Sequence, residues 1–112
     1  MLFRSLGSAA DVARFCGALT GPGYLGADAL AALFTVHPAR TPGGGGFGVA
    51  WNMDHDPAGR RRGWHAGSIA GGRSIVMMLP DEGVAVTILT NLGQIDVDPL
   101  VPAQHIAEAF LG

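Results

Sequence analysis

Residues 64–73 are the part of the sequence best suited to chemistry, and their order is Trp-His-Ala-Gly-Ser-Ile-Ala-Gly-Gly-Arg. A candidate strand that carries His65 runs into a group of small residues and then into another strand. Small side chains let a second molecule lie close against the backbone, and an imidazole can exchange a proton near neutral pH. A histidine on a strand is nevertheless more often a packed or surface residue than a catalyst, so its neighbours decide its interpretation.

A second hairpin follows this stretch. Residues 74–79 and 84–91 are almost continuously apolar, and residues 80–83 (Pro-Asp-Glu-Gly) suit a type I turn with glycine where φ must be positive. This order resembles the C-terminal part of the penicillin-recognising serine hydrolases, the family of class C β-lactamases, DD-peptidases and related esterases. Many esterase-like members carry His-x-Gly as the third active-site motif where the lactamases have Lys-Thr-Gly. Residues 65–67, His-Ala-Gly, fit that variant.

The resemblance implies catalytic roles for three residues. In the family this strand borders the active site, and the backbone N–H after the motif glycine forms an oxyanion hole with the nucleophile's own N–H; here that donor is Ser68. A preorganised N–H stabilises the negative oxygen of a tetrahedral intermediate by about 3 kcal/mol. Gly67 would leave room for the acyl group, and His65 would hydrogen-bond the substrate or assist proton transfer. Ala66 replaces the hydroxyl residue often found in its slot, which weakens the case for a β-lactam carboxylate.

The family's other two motifs are missing from this sequence. The nucleophile of the family lies in a Ser-x-x-Lys motif, and this chain contains no lysine. The second motif is usually Tyr-x-Asn, whereas the single tyrosine, Tyr24, is followed by Leu25 and Gly26. The likeness spans about residues 6–110, but only the last third or so of a family catalytic domain. We therefore expect residues 1–112 to be a single C-terminal segment of a β-lactamase-like domain, without its nucleophile and inert alone.

Two further patterns match known functional motifs in their residues but lack the structural context that those motifs need. Residues 66–70 (Ala-Gly-Ser-Ile-Ala) are similar to the nucleophile elbow Gly-x-Ser-x-Gly, which would make Ser68 itself the nucleophile. An elbow needs a helix immediately afterwards, whereas glycines and a strand follow here, and no acid is placed to orient His65. Residues 43–48 match Gly-x-Gly-x-x-Gly but precede a strand where a dinucleotide site needs a helix. We interpret them as a flexible loop.

Two charged clusters are interpreted as solvated turns. Residues 54–56 (Asp-His-Asp) look like metal ligands, but neighbours on an extended segment point in alternating directions and do not easily converge on one ion. His37 and His105 lie on other elements without a recognisable ligand spacing. Residues 60–62 are three arginines beside a Pro-Ala-Gly turn. The sequence thus predicts no metal and no cofactor.

Hydrophobic periodicity predicts three helices. The first begins at Ser8, which forms a capping-box-like start with Asp11, and ends at the Gly-Pro-Gly of residues 21–23. The second covers about residues 27–34, and the third opens with Asp98 as its N-cap. The residues expected to face the core are Val12, Phe15, Cys16 and Leu19 in the first helix, Leu30, Leu33 and Phe34 in the second, and Ala103, Ile106, Ala107 and Phe110 in the third.

The strands are expected at residues 47–53, at residues 62–66 and in the hairpin of residues 74–90. Their links are too short for parallel crossovers, so the sheet should be antiparallel. The apolar hairpin indicates a sheet covered on both faces. We expect an α+β fold: a small antiparallel sheet of three to four strands with two N-terminal helices and one C-terminal helix. By resemblance it is part of a β-lactamase/transpeptidase-like fold.

Composition limits the partners. Charged residues make up 14% of the chain, hydrophobic residues 48%, and the net charge is −2, which gives no electrostatic reason to expect nucleic acid. No apolar run approaches the roughly 20 residues of a membrane span. The lone Cys16 cannot form an internal disulfide and is expected in the core. Because so few residues are charged, we expect the chain to expose an apolar face. This face would pack against a missing N-terminal segment or a second copy of the chain.

Two functions remain open from the sequence. The first is the C-terminal part of a serine hydrolase whose complete form acts on a small-molecule ester, amide or β-lactam, with an esterase-like parent favoured by His-x-Gly. The alternative is a non-catalytic module that oligomerises or binds a partner. Residues 1–6 lack the apolar length of a secretion signal, so the compartment, cytoplasmic or exported, depends on the missing N-terminus.

Overall fold

The computed structural model describes residues 7–38, 46–94 and 96–111. Within them lie three helices, α1 (Ala9–Thr20), α2 (Ala27–Phe34) and α3 (Leu100–Ala109). The strands are β1 (His37–Pro38), β2 (Gly46–Phe47), β3 (Asn52–His55), β4 (Arg61–Ile69), β5 (Gly72–Leu79) and β6 (Val84–Thr90). They form one antiparallel sheet in chain order, β1 to β6.

The predicted fold class is confirmed: the domain is α+β, with two helices before the sheet and one after it. The described residues form six strands rather than three to four, because two strands of two residues each extend the sheet at one side. Residues 43–45 of the glycine-rich loop lie outside the described residues. No helix in the described ranges is long and apolar enough to cross a membrane.

Helices cover both faces of the sheet, as the apolar hairpin predicts. The core on the α1 and α2 side is formed by Cys16, Leu19, Phe34, Trp51, Met53 and Met78. The core on the α3 side is formed by Ile75, Met77, Leu79, Val86, Ala103 and Ala107. Successive residues of β5, such as Met77 and Met78, therefore enter opposite cores, as the strand pleat requires. Burial in the first core raises the pKa of the Cys16 thiol.

The predicted capping box at the start of α1 is present. The Asp11 N–H donates to Ser8 Oγ at 3.1 Å, and the Ser8 N–H donates to Asp11 Oδ2 at 3.0 Å. These bonds with Ser8 lower the pKa of Asp11. Phe15 was expected in the core, but it lies at the margin of the apolar stripe of α1 and is 54% exposed.

The closing helix begins later than expected and buries a narrower stripe. It starts at Leu100, whose N–H donates to Asp98 Oδ1 at 3.0 Å. Small residues pack it against the sheet, with Ala103 and Ala107 fully buried. Ile106 and Phe110, which were expected in the core, point away from it and are 42% and 75% exposed.

The predicted strand over residues 47–53 is interrupted by a loop. The Gly48 N–H donates to the Trp51 carbonyl at 2.8 Å, and Ala50 has a φ of 66°, so the chain reverses between β2 and β3. The Val49 N–H donates to the Leu33 carbonyl of α2 at 2.9 Å, which ties the loop to that helix. A side chain at Gly48 would collide with the same carbonyl. Contact with α2 therefore sets where β3 begins.

Both charged clusters are structural rather than solvated. Arg62 is 9% exposed and makes two hydrogen bonds to Asp54, from Nε at 2.7 Å and Nη2 at 2.8 Å. The bonds with Asp54 raise the pKa of Arg62. Its Nη1 donates to Gln104 Oε1 of α3 at 3.0 Å. Residues 60–62 were expected to form a solvated turn, but Arg62 instead links β3, β4 and α3.

Asp56 is the most enclosed member of this network, because its side chain has no exposed surface. It accepts hydrogen bonds from the Ala58 and Arg60 N–H groups at 2.9 Å each, from Arg60 Nε at 2.6 Å and from Gln104 Nε2 at 2.9 Å. Burial by itself would raise the pKa of Asp56. The hydrogen bonds from Arg60, Gln104 and Ala58 outweigh it and lower the pKa to about 2.

Replacing Asp56→Asn should lower the free energy of unfolding at pH 7 by about 2–4 kcal/mol, because an amide cannot accept all four bonds and leaves buried donors unpaired. A depressed folded-state pKa stabilises the fold above the unfolded pKa of ~4 and loses that effect as the pH falls toward about 2. The difference between the proteins should therefore shrink from pH 4 to pH 2 in urea titrations followed by tryptophan fluorescence.

Asp81→Asn is the matched control for this experiment. Asp81 pairs with Arg61 at 2.9 Å, but its side chain is 56% exposed, so its loss should cost at most about 1 kcal/mol. Equal stability of Asp56→Asn and the unsubstituted chain at pH 7 would contradict a structural role for the buried carboxylate.

Candidate functional site

The second half of β4 has one open edge. On one side β4 pairs with β3 only from Arg61 to Trp64, whose partner is Asn52. On the other side it pairs with β5 from Gly63 to Ile69. Past Trp64, no strand among the described residues adjoins the first side, and residues 65–69 are all exposed. The predicted site residues thus lie on an accessible strand edge.

Asn52 marks the point where the edge opens. Its side-chain Nδ2 donates to the Trp64 carbonyl at 3.3 Å, within the last pair of the β3–β4 ladder. The chain before Asn52 turns back through the loop of residues 48–51 instead of continuing along β4. The open edge is therefore a consequence of the loop that α2 anchors.

The register of the β4–β5 hairpin decides which backbone groups face outward. Ile69 and Gly72 flank the two-residue turn at residues 70–71 and form the hydrogen-bonded pair that closes it. Hydrogen-bonded and non-hydrogen-bonded pairs alternate along an antiparallel ladder. The N–H and C=O groups of Ser68 and Ala66 consequently point away from β5, toward the open edge. The N–H that the resemblance selects is directed into solvent.

Side chains alternate between the two faces of the sheet along the same strand. His65 and Gly67 lie opposite Val76 and Ser74, on the face that α1 covers further along the sheet. Ser68 lies on the α3 face, so its hydroxyl and the His65 imidazole project to opposite sides of the strand. A turn rather than a helix follows Ser68. These residues do not form a nucleophile and base of their own.

A shallow groove of about 250 Å³ runs over the end of this hairpin. It is lined by Gly67, Ser68, Ile69, Gly72, Arg73, Ser74, Leu89 and Thr90. A Cβ on Gly67 would lie 2.9 Å from the Ser74 hydroxyl, which can rotate away, so the fold tolerates a small side chain there. Packing alone therefore does not require glycine at this position.

The residues that β5 and β6 contribute to the groove were not predicted from the sequence. The sequence indicates Ser74 only as the start of an apolar strand, but in the structure it lies directly opposite Gly67. Counting outward from the two-residue turn would have found it. Thr90 reaches the groove through the pairing of β5 with β6, for which the sequence around the motif gives no signal.

The described residues contain no group of three or more histidine, cysteine or acidic side chains that could hold a metal ion. Asp54 and Asp56 are engaged by arginines, as described above. His55 and His105 are exposed on separate elements. Their side chains are not brought to the open edge of β4.

The fold is α+β, and residues 65–67 lie on an exposed strand edge. In a comparison with family models, the Beta-lactamase family model matches residues 4–110. The chain therefore belongs to the Beta-lactamase family, the penicillin-recognising serine hydrolases. No curated protein and no solved structure matches the chain.

The register predicts an alternating pattern of amide protection along the open edge. The amides of Ala66 and Ser68 should exchange at least about tenfold faster than those of His65 and Gly67, which donate to β5. Hydrogen exchange followed residue by residue by NMR measures this directly. The amide of Trp64, in the stretch paired on both sides, is the protected reference. Equal protection of Ser68 and Gly67 would show that the edge is closed.

Proposed function

We propose that this chain supplies one wall of the active site of a serine hydrolase. In this proposal the Ser68 N–H is the oxyanion-hole donor, Gly67 gives the acyl group access, and His65 contacts the substrate. The nucleophile and its lysine, the Ser-x-x-Lys pair, lie on a preceding stretch of polypeptide. The observation that supports the proposal is the open edge of β4, from which the Ser68 N–H points outward.

The wall acts on the charge that develops during acyl transfer. The serine hydroxyl gives its proton to the lysine of the same motif as its oxygen attacks the carbonyl carbon; a C–O bond forms, and the carbonyl π electrons move onto the carbonyl oxygen. That oxygen then accepts hydrogen bonds from the Ser68 N–H and from the nucleophile's own N–H. The hydrogen bonds of the neighbouring β4 residues to β5 fix the direction of the Ser68 N–H before substrate binds. The backbone therefore does not need to reorganise as the charge develops.

His65 is placed for contact with the leaving group. It is exposed and lies on the same face as Gly67, two residues along the strand. When the tetrahedral intermediate collapses, the bond from carbon to the leaving group breaks and the leaving atom takes a proton. An imidazole beside it can donate that hydrogen bond or pass the proton on from the lysine. Water then hydrolyses the acyl-enzyme by the reverse sequence of proton movements.

The substrate is an ester, amide or β-lactam, and the edge favours an ester. Ala66 offers a methyl group where a hydroxyl would bind a β-lactam carboxylate, so one polar contact to such a substrate is lost. The adjoining groove includes the apolar side chains of Ile69 and Leu89, which are 75% and 45% exposed. These surfaces suit a small apolar acyl or alcohol group.

The isolated chain should not hydrolyse p-nitrophenyl acetate or nitrocefin above the rate of its His65→Ala variant, because it carries an oxyanion donor without the attacking serine. Absorbance assays with both reporter substrates measure this. Turnover that is present in the unsubstituted chain and absent from His65→Ala would show that these residues contain a complete catalytic centre.

In the complete hydrolase, with the Ser-x-x-Lys segment joined to this chain, Ser68→Pro should lower kcat by about 10²-fold or more, because proline has no N–H for the oxyanion. The lost N–H points away from β5, so the ladder keeps its bonds. Ser68→Ala retains the N–H and should stay within a few-fold of the unsubstituted enzyme. Equal activity of Ser68→Pro and Ser68→Ala would reject the oxyanion role.

A further inference from the structure

The chain that follows β6 passes close against the turn between β4 and β5. The β5–β6 ladder ends at the Arg73–Thr90 pair, and residues 91–94, here called the strap, then contact the turn at residues 70–71. The Leu92 N–H donates to Thr90 Oγ1 at 3.0 Å. The threonine side chain therefore sets the direction in which the strap leaves the strand.

Two glycines make the contact between the strap and the turn. A Cβ on Gly93 would lie 2.6 Å from the Gly71 nitrogen and 3.0 Å from the Gly71 Cα. Both are backbone atoms, which cannot rotate away as a side chain can. The φ of Gly93 lies outside the left-handed region, so alanine could adopt its backbone conformation. Only the close approach to the turn excludes a side chain at this position.

The turn is the less firmly held of the two segments. The strap leaves β6, against which α1 and α3 both pack. Among the described residues, β4 past Trp64 is paired with β5 alone, and residues 65–69 are exposed. A side chain at Gly93 would therefore displace the turn. The end of β4 would move with it, because the Ile69–Gly72 pair joins the strand to the turn.

We propose that Gly93 is a positioning residue for the oxyanion donor, because its contact with Gly71 fixes the end of β4 from which the Ser68 N–H projects. The inference rests on the proposed function for the role of that N–H. Ser68 directly precedes Ile69, the last residue of β4. A displacement of the turn is therefore passed to the Ser68 N–H within one residue of the strand end.

The expected displacement is large enough to affect catalysis. Ordinary contacts begin at 3.4 Å, so the 2.6 Å separation at Gly93 would have to grow by about 0.8 Å to accept a methyl group. Catalytic groups need to be held within about 0.5 Å and 10–20° of their productive geometry. Glycine at position 93 thus keeps the donor within a tolerance that alanine would exceed.

Residual dipolar couplings measured by NMR on the isolated chain test whether Gly93 acts on the strand. In Gly93→Ala, the Ser68 N–H should turn by about 10° or more relative to the N–H groups of β5. Gly17→Ala is the matched control and should leave this direction unchanged, since nothing lies within 4 Å of a Cβ on Gly17. An unchanged direction of the Ser68 N–H in Gly93→Ala would overturn the proposal.

Thr90→Val tests the same contact without adding an atom against the turn. Valine keeps the branched shape but loses the oxygen that accepts the Leu92 N–H. With the strap released, the order parameter of the Ser68 N–H should fall from the rigid value of about 0.85 toward 0.6 in relaxation measurements. An order parameter equal to that of the unsubstituted chain would also overturn the proposal.

In the complete hydrolase, Gly93→Ala should lower kcat about tenfold or more and leave KM within about threefold, because the oxyanion bond forms only in the transition state. Steady-state hydrolysis of p-nitrophenyl acetate measures both constants, with kcat expressed per active site titrated by a phosphonate. Gly17→Ala should match the unsubstituted enzyme. An unchanged kcat in Gly93→Ala would overturn the proposal.

A double-mutant cycle separates positioning from general damage. If Gly93 acts through the Ser68 N–H, Gly93→Ala should change kcat less than about twofold once Ser68→Pro has removed that N–H. Losses that multiply would overturn the positioning role. Failure of the proposed function has a different signature, equal activity of Ser68→Pro and Ser68→Ala.

Discussion

The architecture of the candidate site depends on one constraint, the end of the β3–β4 ladder at the Asn52–Trp64 pair. A ladder extended by a few residues would occupy the N–H groups of Ala66 and Ser68 and close the edge. The chain instead reverses before β3, because Gly48 fits against the Leu33 carbonyl and Val49 bonds to it. A local contact with α2 thereby leaves backbone donors unpaired on the surface, a condition that sheets usually avoid and that binding sites use.

The charged network holds the same strand in position from its other end. Arg62 lies three residues before His65 and is bonded to β3 through Asp54 and to α3 through Gln104. A slip of one residue in the β3–β4 register would reverse the face on which every β4 side chain lies and would break these bonds. Buried ion pairs contribute less to net stability than to the choice of one arrangement. Here the arrangement chosen is the one that exposes the Ser68 N–H.

Local signals in the sequence predicted much of the fold. The capping box at Ser8, the extent of α2 and the glycine at position 83, whose φ is 69°, depend on neighbours in the chain and were confirmed. The break between β2 and β3 was missed because it depends on a contact with α2, which the alternation of residues 47–53 does not report. Asp56 was missed because its burial depends on Gln104, 48 residues away. Membership of the family was confirmed, while the roles of His65, Gly67 and Ser68 stay predictions from the resemblance.

In the proposed function, the open edge of β4 binds the oxygen that becomes negative during acyl transfer. The most direct measurement is a crystal structure of the complete hydrolase with a phosphonate bound to its serine as an analogue of the tetrahedral intermediate. We predict a phosphonyl oxygen within about 3 Å of the Ser68 nitrogen. A phosphonyl oxygen held entirely by other donors, with the Ser68 N–H bonded to protein or facing away, would contradict it.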